Sequence, residues 1–214
     1  MSTFVVRVWL PDRPGALGAV ASRIGSVRGD LIGIDILERG GGRVIDELVV
    51  DLPSDDILPL LLKEVSEVDG VDVEDAHAVA APVFDARVDA LETAAELVEQ
   101  KSRADLLHAL TGHLAHTFQA EWVIVTEAGQ TLAAVGDGPE PGWVEAFVAG
   151  TQHSAAVAAG ECGPDDVACA WLDEHDVAVV LGRRGRPFRA RERRQLAALA
   201  RIAGRRLADL VAGG

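Results

Sequence analysis

Phe4-Val5-Val6-Arg7-Val8-Trp9-Leu10, followed at once by Pro11-Asp12-Arg13-Pro14-Gly15-Ala16-Leu17, is the stretch that decides the fold. β-Branched and aromatic residues dominate the first run and Arg7 interrupts it at strand period, which predicts a β-strand. The second run predicts a turn and a helix start. Asp12 is the candidate to accept from the first free backbone N–H groups. Pro14 is tolerated in a first turn, where its missing donor has no partner anyway. Gly15 lets a ligand or a second backbone approach closely. A strand end that feeds a helix N-terminus presents N–H groups and a partial positive charge, a natural seat for a carboxylate. The same residues also suit an ordinary capped turn.

The following sixty residues extend the pattern. Leu17, Val20, Ala21, Ile24 and Val27 recur at helical spacing over 16–27. Residues 30–38 read as a strand, Gly40-Gly41-Gly42 as a hairpin turn that needs positive φ, and 43–52 as the partner strand. Ser54-Asp55-Asp56 caps a second helix that runs through Val68, Gly70 breaks it, and 71–79 give a fourth strand. The order is β-α-β-β-α-β, the split ferredoxin-like unit.

With that order and that loop, residues 3–80 resemble an ACT domain, the segment Asp12-Arg13-Pro14-Gly15-Ala16-Leu17 being the part most like the family. The resemblance implies a regulatory module that binds an amino acid or other small molecule, usually at an interface between paired copies. It implies that the ligand's carboxylate meets backbone N–H groups of the first loop and helix. The ligand-binding candidates are then Asp12, Arg13, Gly15, Ala16 and Leu17, with Leu31, Ile32 and Gly33 from the start of the second strand. Many amino-acid-binding members place an amide or Asp near the start of that strand, where this chain offers Asp30 and Asp35. Other ACT domains bind nothing and only pair subunits, an alternative that stays open.

At 214 residues and 49% apolar content, the chain fits two modest domains. The expected division is 1–81 and 85–214, with a boundary near Ala80-Ala81-Pro82-Val83-Phe84. Aromatics are scarce at 4% and tyrosine is absent, so packing falls to Val, Leu and Ala. Ala-rich, Arg-rich usage suggests a GC-rich bacterial genome. No apolar stretch approaches the roughly 20 residues that span a bilayer, and no charged region followed by an apolar core opens the chain. The expectation is a cytoplasmic protein with no membrane partner. Cys162 and Cys169 form no CxxC pair and read as reduced thiols without chemistry.

In the second half, Val88, Leu91, Ala95, Leu97 and Val98 predict a helix over 85–100, and a second helix follows over 101–118. Strands are expected at 122–125, 131–135, 167–172 and 177–181, with turns at Ala128-Gly129 and Asp173-Glu174-His175-Asp176. A short helix is expected over 139–150 and a long closing helix over 189–211. Val179-Val180-Leu181-Gly182-Arg183-Arg184-Gly185-Arg186-Pro187-Phe188, followed by Ala190-Arg191-Glu192 and that helix, resembles a GAF-type domain. The resemblance implies a central antiparallel sheet with flanking helices. The region 138–166 is short for a ligand-binding GAF domain, so no cofactor is expected.

Charge is segregated. Residues 1–181 carry 10 basic and 32 acidic residues, whereas 182–214 carry 10 and 2, within a chain of net charge −14. The arginines of that end could meet phosphates. They could equally lie against the acidic helix around Glu92, Glu96 and Glu99, of the same chain or of a partner. A body this acidic repels nucleic acid within a Debye length, which favours the second account. His108, His113 and His116 lack a Cys or carboxylate that would complete a tetrahedral metal set and read as partly exposed helix histidines. No G-x-S-x-G elbow, Walker A loop, HExxH or dinucleotide fingerprint occurs, so no catalytic residue is assigned.

The sequence thus points to an α+β, non-enzymatic regulatory protein, a homodimer with a small-molecule ligand and a protein partner not identified by the residues. The alternatives are a purely structural pairing protein and a nucleic-acid-associated regulator that uses the arginine-rich end.

Overall fold

The computed structural model describes residues 2–79, 86–151, 154–158, 163–172 and 177–212. The expected boundary at 80–84, Cys162 and the turn at 173–176 lie outside the described residues. The chain divides into two compact units, 1–85 and 86–214. Both are mixed α+β, each built on a four-stranded antiparallel sheet.

In the first unit β1 (Ser2–Pro11) leads to α1 (Ala16–Ser26), then β2 (Asp30–Gly40) and β3 (Arg43–Leu52). A 3-10 turn (Asp55–Ile57) runs into α2 (Leu58–Ser66), and β4 (Asp72–Val79) closes the unit. The strand order β2-β3-β1-β4 is ferredoxin-like. Strand alternation sorts the side chains. Phe4, Val6, Val8 and Leu10 of β1 and Leu48, Val50 and Leu52 of β3 meet Val20 and Ile24 of α1 and Leu61 and Val65 of α2 in one core. Arg7 falls on the other face and is only 2% exposed. Its guanidinium donates to Glu47 Oε1 on β3, from Nη2 at 2.7 Å and from Nε at 3.1 Å. Burying that cation without a carboxylate would cost several kcal/mol, so the pair belongs to the sheet's architecture.

The local signals act as their chemistry requires. Gly41 and Gly42, with φ of +60° and +76°, form a two-residue link between β2 and β3 that side-chain-bearing residues disfavour. Ser54 Oγ accepts from the Asp56 N–H at 3.4 Å and starts the helical segment.

The second unit opens with α3 (Ala86–Glu99) and α4 (Arg103–Thr117), separated where Ser102 Oγ accepts from the Asp105 N–H at 3.1 Å. Next come β5 (Trp122–Glu127), β6 (Gln130–Gly136), α5 (Pro141–Thr151), α6 (Ala155–Ala158), β7 (Val167–Trp171), β8 (Val177–Gly182) and α7 (Ala190–Ala212). The sheet order is β6-β5-β8-β7. One face, with Val123, Val125, Val179 and Leu181, packs on Leu106, Leu110, Leu114, Leu196 and Ala203 of the helices. The other, with Ile124, Cys169 and Val180, packs on Val144 of α5. Strand β8 is buried on both faces, hence its unbroken Val-Ala-Val-Val-Leu run.

The short helix α6 is not predicted from the sequence, because its four residues carry no periodic signal. The apolar residues that predict α3 do not share one face: Leu97 is buried with Thr93, while Val88, Leu91 and Val98 are exposed. At about 100° per residue, Leu97 lies 100° or more around the helix from the other three.

Helix α7 approaches the end of β7 so closely that a Cβ on Gly204 would stand 1.5 Å from the Leu172 carbonyl oxygen. Helix propensity favours Ala over Gly by about 1 kcal/mol, but the clash is with backbone and cannot be relieved by a rotamer. Gly204→Ala is therefore expected to destabilise the second unit by about 1–3 kcal/mol in denaturant titrations. A neutral or stabilised variant would show that α7 does not lie against Leu172.

Candidate functional site

The loop between β1 and α1 is a tight backbone structure. The Asp12 N–H donates to Gly42 O at 2.9 Å, the Arg13 N–H to Pro11 O at 2.8 Å and the Ala16 N–H to Arg13 O at 3.3 Å. Helix α1 begins at Ala16, and the residue before it, Gly15, adopts φ +89°. Asp12 does not cap: no side chain accepts from the start of α1, and Pro14 precedes the helix instead of occupying its first turn. The reason is geometric. The chain swings into the helix through a left-handed residue, and that residue must be glycine. Nothing lies within 4 Å of a Cβ built there, so conformation and not crowding selects it. The N–H groups of Gly15, Leu17 and Gly18 have no acceptor among the described residues, which leaves the positive end of α1 open.

Beside this turn runs a cleft of about 460 Å³ lined by Arg13, Pro14, Gly15, Ala16, Ala19, Arg23, Glu67, Val68 and Asp69. Its rim carries both signs of charge. Arg13 Nη2 stands 3.2 Å from Asp69 Oδ2. Arg23 Nη1 stands 2.8 Å from Glu64 Oε2 and 3.8 Å from Glu67 Oε2. The first pair ties the loop before α1 to the turn after α2, and the Arg23 pairs tie the last turn of α1 to the end of α2, with both guanidinium groups kept at the cleft.

Of the candidates named from sequence, Arg13, Gly15 and Ala16 line the cleft. Asp12 sits at the base of the loop, bonded through its backbone to Gly42. The Leu17 side chain packs on the core, so only its N–H faces the loop. Leu31, Ile32 and Gly33 lie at the other end of the sheet. β2 runs parallel to β1, with Asp30 and Thr3 both level with Asp51, and Gly40 and Pro11 both level with Arg43. At about 3.3 Å per residue, Gly33 is roughly 20 Å from the loop within one copy. Gly33 has its own reason to be small, since a Cβ would meet Val49 Cγ2 at 3.1 Å beside a register shift.

Asp46 was not among the sequence candidates. It occupies β3 between Val8 of β1 and Ile36 of β2, is 4% exposed, and its Oδ1 has no hydrogen-bond partner. Burial raises its pKa, Arg39 opposes that and the Asp12 carboxylate adds to it, so the group is electrostatically joined to the first loop. A sequence signal existed: Val44, Asp46, Leu48, Val50 and Leu52 share one phase, and Asp46 is the charged member of an otherwise apolar set.

In the second unit the arginine-rich stretch is partly structural. Arg183, buried, donates to Phe118 O at 2.6 Å, Arg186 O at 2.8 Å and Glu192 Oε1 at 2.7 Å. Glu192 Oε2 also accepts from the Arg189 N–H at 2.8 Å and so caps α7. Arg193 donates to Val167 O at 3.0 Å and to Pro164 O. His113 Nε2 lies 2.7 Å from Glu96 Oε2. Burial pushes the Cys169 thiol up to about 11, with a lowering contribution from Thr151. Among the described residues no group of three His, Cys, Asp or Glu side chains is placed to hold a metal ion, and no helix is long and apolar enough to cross a membrane.

No protein-family model matches the chain, and no curated protein matches it. Solved structures resemble it distantly. A formyltetrahydrofolate deformylase from Pseudomonas putida KT2440 is 14% identical over 42% of this chain, with a TM-score of 0.28, and the match spans only 36% of the deformylase. A protein of unknown function from Galdieria sulphuraria is 15% identical over 94% of this chain and 91% of its own, with a TM-score of 0.33. A bacteriophytochrome from R. palustris is 11% identical over 84% of this chain and 48% of its own, with a TM-score of 0.38. At these TM-scores the likenesses carry no argument about what the chain does.

Because the folded-state pKa of Asp46 is raised above its ordinary 3.8, its contribution favours the fold at low pH and is lost as pH rises through the folded value. Asp46→Asn is expected to be more stable than the parent at pH 7, the difference closing as pH falls toward 3.8. Denaturant titrations across that range decide it. A difference that widens on acidification would mean that Asp46 is stabilised as the anion.

Proposed function

We propose that the chain is a non-enzymatic, cytoplasmic regulatory protein whose first unit, an ACT-like domain, binds an amino acid or a related small carboxylate. The observation that carries this reading is the Gly15 turn. It leaves three N–H groups unspent at the start of α1, on the edge of a cleft bearing Arg13 and Arg23 beside Glu67 and Asp69. Backbone donors with the helix dipole suit a carboxylate, and the nearby carboxylates suit an ammonium group. The implied ligand is zwitterionic and small enough for about 460 Å³.

A second copy completes the site. Strand β2 is an edge of its sheet and exposes Ile34 and Ile36, the kind of edge that pairs with another chain. Antiparallel docking of β2 on its twin reverses the strand's ends and carries the partner's Leu31–Gly33 segment to the Gly40 end, level with the first loop. The residues separated by roughly 20 Å in one copy then face one site. Occupancy is relayed to a protein partner through the GAF-like second unit.

The test is a thermal-shift screen of the twenty amino acids and related carboxylates with the mass in solution determined alongside. Native-state binding raises the melting temperature by mass action, by about 2.7 kcal/mol of stability at a ligand concentration of 100 Kd. One ligand is expected to give a shift that falls in Arg13→Ala and Arg23→Ala and in the edge variant Ile36→Lys. Gly15 is unsuited to the test, because any side chain there strains a φ of +89°. A dimer that responds to none of these ligands would leave β2 as a pairing edge and remove the sensor reading.

A further inference from the structure

Helix α3 carries two apolar stripes. Thr93 and Leu97 face the core, whereas Val88, Leu91, Ala95 and Val98 lie in solvent, Leu91 at 71% and Val98 at 53% exposure. At about 100° per residue those four occupy some 80° of arc, with Glu92 and Glu99 along one border. Helix α7 packs beside α3, and Arg206 fixes the pair by donating to Gln100 O at 2.6 Å and 2.9 Å. Between the helices runs a groove of about 400 Å³ with Val98, Ala198 and Ile202 as its apolar part and Arg201, Arg205, Arg206 and Asp209 of α7 around them, three cations to one carboxylate. Glu92, Glu99, Arg201 and Arg205 make no hydrogen bond or ion pair with other described residues. The face is thus an apolar strip bordered by uncommitted acid on one helix and uncommitted base on the other.

We infer that this face is a second self-association surface, distinct from the β2 edge: the exposed stripe of α3 lies against α7 of another copy about a two-fold axis. Charge order selects that occupant. A uniformly anionic partner would gain Arg201 and Arg205 but meet Glu92 and Glu99, and a uniformly cationic one would suffer the converse. A partner that itself presents an acidic helix beside a basic one satisfies both rims at once. An isologous contact supplies it twice, because each copy offers the same patch to the other. The strip of Leu91, Val98 and Ile202 then forms the desolvated centre and the charges its rim.

The surface is tested in the full chain with Ile36→Lys, which removes the β2 contact and leaves the second unit untouched. This parent is expected to remain self-associated in sedimentation velocity. Glu92→Arg/Glu99→Arg makes both helices basic, and Arg201→Glu/Arg205→Glu makes both acidic. Each variant alone is expected to lose roughly tenfold or more in self-affinity, as like-charge juxtaposition requires. Their equimolar mixture is expected to form heterodimers, identified by mass, because each basic helix then meets an acidic one. A monomeric Ile36→Lys parent overturns the inference while leaving the ligand reading intact. Variants that self-associate like the parent, or a mixture of folded variants that stays unpaired, overturn it as well.

Discussion

The continuous register between β1 and β3 governs the first unit. Ten residues pair without a bulge, from Ser2 opposite Leu52 to Pro11 opposite Arg43, and this settles two things together. It fixes which side chains face the helices: a slip of one residue would drive Arg7 into the Val6–Val8 phase and turn that apolar set outward. Glu47 on β3 and the buried Arg7 guanidinium reinforce the same register, since a displaced strand would leave a cation without its carboxylate. It also fixes the ends. The first loop must stand at the Arg43 end and the start of β2 at the Leu52 end, so one copy cannot unite the loop with Leu31–Gly33. The split of the candidate site follows from strand pairing and not from any property of the loop.

What the sequence reveals of this arrangement depends on how far each signal reaches. Strand period, helix period and turn glycines act over a few residues, and β1, β3, β8 and the Gly41–Gly42 link are legible for that reason. The loop departs at one level from what its residues suggest. Asp12 has the chemistry of a cap, yet the backbone bonds of Asp12 to Gly42 and of Arg13 to Pro11 hold it away from the helix start. A partner thirty residues distant in sequence decided its role. Asp46 shows the opposite case, a legible signal passed over: its strand phase is inward, and an inward carboxylate in an apolar set marks either a pairing partner or a functional group. Separation of the site residues across the sheet was not legible, because it depends on the parallel relation of β1 and β2, a property of topology.

Helix α3 illustrates a different limit. Val88, Leu91, Ala95, Leu97 and Val98 signal a helix by their spacing, and only packing shows that Leu97 belongs to the core while Val88, Leu91 and Val98 do not. A helix needs one apolar stripe to fold onto its own unit. A second, nearly opposite stripe has no use within the second unit and exposes area that water penalises. The arginine-rich helix divides in the same way. Arg183 and Arg193 are spent on carbonyls and on Glu192 inside the fold, and these cannot serve a phosphate backbone. Arg201 and Arg205 remain outside.

The overall charge makes that remainder informative. Two copies of a chain with net charge −14 repel, but in physiological salt the repulsion acts only across a Debye length of about 8 Å. Association is therefore decided by what lies within that distance, and residues 1–181 carry 32 acidic residues against 10 basic ones. The positive excess is concentrated after residue 181, where ten basic residues face two acidic ones. Had the same arginines been scattered, every approach of two copies would bring net-negative patches together. Six of them lie on α7, at Arg191, Arg193, Arg194, Arg201, Arg205 and Arg206. Arg201 and Arg205 stand beside acidic α3, so this face carries both signs of charge where most of the chain carries one. Such an arrangement limits association through this face to one orientation, because only the two-fold contact aligns acid with base at both ends.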